Sequence, residues 1–136
     1  MALSKIGDAG MPAGAVLQVI TGSTATADSS TSGTYADTGL TAAITPSSTS
    51  SKILVIVNQQ GCQKYSTNTG LGLKLFRGST ELVKFEGQFG INQGTNEFNA
   101  GGNGVTHLDS PSTASAVTYK VQAKVTGSAI ILYLTL

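Results

Sequence analysis

An all-β fold is what this sequence predicts: an antiparallel β-sandwich, jelly-roll-like, with eight or nine short strands and an extended N-terminal arm. Three observations lead there. Apolar residues alternate with period two along most of the chain, and no stretch sustains the 3.6-residue period of a helix. Turn residues recur at spacings of about ten residues, the rhythm of short antiparallel strands. At 136 residues the chain is one domain's worth, long enough to bury roughly two-thirds of its unfolded surface in one core. A closed barrel is the alternative with the same spacing.

Residues 1–13 of "MALSKIGDAGMPAG" carry Gly7, Gly10 and Pro12 and read as an arm that is neither helix nor strand; residues 14–136 read as one domain. Ordering such an arm costs about 1–2 kcal/mol per residue, so Leu3, Ile6 and Met11 are expected to dock on the domain or on a neighbour. The strands then follow as Ala15 to Thr21, Thr34 to Asp37, Leu40 to Thr45, Lys52 to Gln59, Leu71 to Arg77, Glu81 to Phe85 and Val105 to Asp109. "DTGL" at Asp37 to Leu40 predicts a tight turn or bulge with Gly39 at positive φ. In "ITPSSTSSKILVIV", Pro46 stops one strand, Ser47 to Ser51 form a turn whose hydroxyls satisfy their own backbone, and Lys52 starts a central strand. "FRGSTEL" is a hairpin turning through Arg77, Gly78, Ser79 and Thr80.

"AVTYKVQAKVT" is the clearest strand, with Val117, Tyr119, Val121, Ala123 and Val125 on one face and Thr118, Lys120, Gln122, Lys124 and Thr126 on the other. After a turn at Gly127 and Ser128, "AIILYLTL" is apolar on both faces, which predicts cover on both sides. Gly22 to Gly33 and Gly87 to Gly104 are too rich in Gly, Ser and Asn for strands and read as long loops. The second holds Phe89 and Phe98, aromatics suited to anchoring a loop to its sheet or to a neighbouring subunit.

Charged residues are 11% of the chain, eight Lys/Arg against seven Asp/Glu, far below the usual share of about 25%. The cations are scattered in sequence, which argues against nucleic acid as a partner because phosphate neutralisation needs clustered charge. No run approaches the roughly 20 apolar residues of a membrane span, and no apolar signal-peptide segment is visible. The expectation is a chain folded in a cytoplasm. A near-neutral, Ser/Thr-rich surface is prone to association.

Catalytic chemistry fails on count. His107 is the single histidine and Cys62 the single cysteine, so neither a nucleophile triad nor a metal cluster is spelled out, and no metal or cofactor is expected. His107 reads as a hydrogen-bonded strand residue and Cys62 as a small buried hydrophobe. Carboxylates for sugar hydrolysis would come from Glu81, Glu86, Glu97 or Asp109, and nothing in sequence pairs them. "GGNG" at Gly101 to Gly104 lacks the following helix that a phosphate cradle needs.

"GAVLQVI", "YADTGLTAAITPSSTSSKILVIV", "LKLFRGSTEL" and "SPSTASAVTYKVQAKV", spread in this order from Gly14 to Val125, resemble a recurring module of structural proteins of tailed bacteriophages. The resemblance implies a virion component rather than an enzyme. A module with a short arm and no shaft or coiled-coil heptads is similar to a capsid decoration, or cement, protein. That likeness implies a homotrimer on the major capsid protein, stabilising the shell at the outer surface of the virion and assembled in the host cytoplasm. The alternative it leaves open is a tail-fibre or receptor-binding module contacting the host surface. Leu3, Ile6, Met11, Phe89 and Phe98 are the expected assembly contacts.

Overall fold

The computed structural model describes residues 14–26, 28–64, 67–89, 98–126 and 131–133. They form eight strands: β1 (Asp28–Ser30), β2 (Ala36–Ile44), β3 (Ile53–Lys64), β4 (Gly70–Arg77), β5 (Thr80–Phe89), β6 (Phe98–Asp109), β7 (Val117–Thr126) and β8 (Ile131–Tyr133). All neighbours pair antiparallel, in two four-stranded sheets ordered β1-β8-β3-β6 and β2-β7-β4-β5. The pairing is nested: β4 lies beside β5, β3 beside β6, β2 beside β7 and β1 beside β8.

The period-two pattern of β7 builds the core as expected. Tyr119, Val121, Ala123 and Val125 are buried, and they meet Leu71, Leu73 and Leu75 of β4 together with Val57 and Cys62 of β3. One apolar cluster therefore draws on both sheets. Its margin is closed by Ile53, Val55, Val83, Phe85 and Val105.

The predicted turns are present. Gly39 has φ 81° and sits where the β2–β7 register shifts, so the two strands expected at 34–37 and 40–45 are one strand interrupted by a bulge. Thr38 fixes that bulge by donating its hydroxyl to the Val121 carbonyl at 3.1 Å. Arg77 pairs with Thr80 across Gly78 and Ser79, and only Gly78, at φ 57°, takes a positive φ, the pattern of a type II′ hairpin. In the polar turn before β3, the Ser48 hydroxyl accepts from the Ser50 amide at 3.2 Å, and the Ser51 amide donates to the Ser48 carbonyl at 3.1 Å.

Three expectations are corrected. The stretch 87–104 is mostly strand: β5 runs on to Phe89 and β6 begins at Phe98, with 90–97 outside the described residues. Two of its glycines have a reason to be there: Gly101 holds φ 85° at a register shift, and Gly104 lies where the strands pass too closely for a side chain, since a Cβ on it would stand 2.7 Å from the Val57 carbonyl oxygen. The loop expected at 22–33 contains the short strand β1. Residues 15–21, expected as a strand, have no strand partner among the described residues and are mostly exposed. A strand without a neighbour has no ladder to join.

Candidate assembly surface

The five consecutive apolar residues of "ILVIV" open β3, so alternation sends Ile53, Val55 and Val57 inward and Leu54 and Ile56 outward. On β6 the same geometry turns Leu108 out directly opposite Leu54, while Thr106 stands opposite Ile56. Nothing in the described residues covers them: Leu54 is 58%, Ile56 72% and Leu108 56% exposed. Further along, Asn58 accepts a hydrogen bond from the Gln60 side-chain amide. The outer face of β3 and β6 is thus aliphatic at one end, amide-bearing at the other and free of charge between.

A second solvent-facing apolar element is the segment 14–21, which belongs to no strand. Val16 and Val19 are 74% and 77% exposed, and Leu17 and Ile20 are each 45% exposed. The segment reaches the domain along the edge of β2, where a Cβ on Gly22 would collide with the Thr41 carbonyl oxygen and Gly39 faces the Thr24 side chain. The close approach at Gly22 admits only glycine.

The outer face of the other sheet has the opposite character. Lys74, Lys84, Lys120 and Lys124, half of the eight Lys/Arg in the chain, share it, because Lys74 stands opposite both Lys84 and Gln122, with Lys120 and Lys124 two residues to either side of Gln122. The cations scattered in sequence are therefore partly gathered in space. Lys74 pairs with Glu81, and Lys120 pairs with Asp37 at 2.9 Å. The Gln122 amide also donates to Asp37, and these bonds hold that carboxyl below its ordinary pKa. Tyr35 lies over Gly72 with the Lys74 ammonium 4.4 Å and the Lys124 ammonium 5.2 Å from its ring centre, distances at which cation–π attraction operates.

Between the sheets, Asp109 at the end of β6 accepts two hydrogen bonds from Arg77 Nη1, at 2.7 and 2.8 Å, and one from the Tyr119 hydroxyl at 2.6 Å. Burial raises the Asp109 pKa, and the bonds from Tyr119 and Arg77 outweigh it, leaving the carboxyl below its usual range. Burial and the same carboxylate push Tyr119 up. Glu86 accepts from Asn103 at 2.6 Å and so forms a second tie from β5 to β6.

The remaining residues singled out in sequence do not converge. His107 stands opposite Val55, half-buried, on the same side of β6 as Asp109. Cys62 is fully buried, and burial pushes its thiol up to about 11. Glu81, Glu86 and Asp109 each hold a different partner, and Glu97 lies outside the described residues. So do Leu3, Ile6 and Met11 and the turn at Gly127 and Ser128. Phe89 ends β5 opposite Leu71, and Phe98 starts β6 opposite Lys64, both in strands rather than in a loop.

Sequence reasoning missed the exposed face of β3. Its signal was present, since five apolar residues in a row must place alternate members on opposite faces. The lysine face had little linear signal beyond Lys120 and Lys124 on one face of β7, because three strands, β4, β5 and β7, must align before it exists. No family model, curated protein or solved structure matches the chain.

Proposed function

We propose that this chain is a structural protein of a tailed-bacteriophage virion, a homotrimeric capsid decoration protein that binds the major capsid protein on the outer surface and stabilises the shell. The observation that carries the reading is the uncovered aliphatic surface on two separate elements, the outer face of β3 and β6 and the segment 14–21. Scattered exposed apolar side chains are ordinary; a contiguous set marks an interaction site. The work assigned to the chain is adhesion, by apolar anchors and hydroxyl and amide contacts, with residues 1–13 adding Leu3, Ile6 and Met11.

The two sheets are read as the layers of a jelly-roll sandwich. The nested pairing of β1 with β8, β2 with β7, β3 with β6 and β4 with β5 supports it, as do one core shared by both sheets and the Arg77–Asp109 tie between them. Eight-stranded jelly rolls serve in viral capsid and lectin domains. That is an analogy of fold, consistent with the sequence resemblance and secondary to it.

Copy number tests the function. Quantitative mass spectrometry of purified particles is expected to give a simple lattice ratio of this chain to the major capsid protein. A trace ratio would overturn the decoration reading and move the chain to the tail, as a host-contacting module. Deleting residues 1–12 is expected to lower occupancy on undecorated capsids; undiminished occupancy removes the anchoring role of the arm.

A further inference from the structure

Among the described residues, two apolar elements are left open to solvent, and neither covers the other. The first is the patch of Leu54, Ile56 and Leu108 on the outer face of β3 and β6. The second is the segment carrying Val16, Leu17, Val19 and Ile20. We infer that this patch is the seat for the segment 16–20 of a second copy of the chain.

Chemistry matches the two elements. Both present β-branched or leucine side chains, which pack well on a pleated surface. Both are uncharged: no Asp, Glu, Lys or Arg occurs from residue 14 to residue 27, and Leu54, Ile56, Asn58, Gln60, Thr106 and Leu108 share the seat's side of β3 and β6. Four of the lysines gather on the other sheet, while Lys52 precedes β3 and Lys64 ends it, flanking the seat rather than lying within it. The segment belongs to no strand of its own domain, which leaves its backbone open to pairing, and it is tethered along β2 by the close approach of Gly22 to Thr41. From Gly22 to Val16 an extended chain reaches about 20 Å, enough to cross into a neighbour.

Area sets the form of the assembly. Laid extended on the sheet, the segment turns Leu17 and Val19 to the seat, and with Leu54, Ile56 and Leu108 these five aliphatic side chains at their exposures offer on the order of 500 Å² in one segment-on-seat contact, below the roughly 1,000 Å² at which specific interfaces begin. Exchange in both directions between two copies doubles it and reaches that range. A closed ring of three uses every segment and every seat as well. The inference does not rest on the virion reading: its failure would leave the copy-number test untouched.

The full chain and the single variants Ile56→Lys and Val19→Lys are compared by sedimentation equilibrium, with circular dichroism as a check on folding. Both side chains are exposed, so folding is expected to survive. The full chain is expected to form a closed oligomer, and each variant to raise its dissociation constant about thirtyfold or more, the loss of an interface hot spot. A monomeric full chain, or either variant assembling like the parent, overturns the inference. As a second measurement that avoids a buried charge, Val19→Cys and Ile56→Cys are purified separately, mixed and treated with a short bismaleimide. A product joining the two variants is expected, and its absence overturns the seat.

Discussion

Asp109 is the residue through which β6 is tied to β4 and β7, by the guanidinium of Arg77 and the hydroxyl of Tyr119. Removing its charge leaves a partly buried guanidinium without its anion, so Asp109→Asn is expected to cost about 2–3 kcal/mol in denaturant unfolding. Tyr119→Phe removes one bond and is expected to cost about 1 kcal/mol. The pH dependence follows from the two shifts. The folded state keeps Asp109 ionised at acidities where the unfolded chain, titrating near 3.9, takes up a proton. Its contribution is complete above that value and lost as pH falls through the lower folded pKa. Tyr119 runs the other way: the folded state retains a proton that the unfolded tyrosine releases near pH 10, so its contribution is lost as pH rises above about 10. Melting temperatures across acid and alkaline pH check both arms, and each variant is expected to flatten its own arm. Gln59 contrasts with this satisfied network. It is fully buried in β3, and neither amide atom has a hydrogen-bond partner among the described residues. Gln59→Met, which keeps the volume and drops the amide, is expected to raise stability by about 1–3 kcal/mol; no gain would mean that the amide is satisfied.

At the scale of the element, β6 is the most informative strand because its composition argues against it. Gly101, Gly102 and Gly104 lie within it; the β3–β6 register shifts at Gly101, and Gly104 lies against the backbone of β3. Gly104→Ala sets a methyl group against the Val57 carbonyl, an atom that cannot swing away, and is expected to destabilise the fold by about 1–3 kcal/mol. A shift in urea midpoint with unchanged slope measures it. The β4–β5 hairpin was legible at single-residue precision, since Gly78 is the one turn residue whose φ must be positive. The strand expected at 15–21 shows the limit of the same local reading. Its apolar, β-branched composition suits a strand, but a strand is a relation between two segments, and the described chain supplies no partner.

At the scale of the molecule, the two outer faces differ in kind. One carries four lysines with the acids Asp37 and Glu81, and the other carries Leu54, Ile56 and Leu108 without charge. Assembly through the second face is expected to keep its dissociation constant from low to high salt, because screening acts only on charge. Sedimentation across a salt series checks this, and a steep weakening with salt would place the contact on the lysine face instead.

What the sequence by itself determined is local. Period-two alternation fixed the inward face of β7, Pro46 and its serines fixed the turn before β3, and Gly39 and Gly78 fixed a bulge and a hairpin. In each case the cause is a steric or hydrogen-bonding property of residues adjacent in the chain. What only the tertiary structure decided is lateral. The Arg77–Asp109–Tyr119 tie joins residues up to 42 positions apart in sequence, the lysine face needs three strands in register, and Gly104 of β6 becomes intelligible only against the backbone of β3. Leu54 and Leu108 become one patch for the same reason, because sheet register, which no single segment carries, sets which distant residues stand side by side.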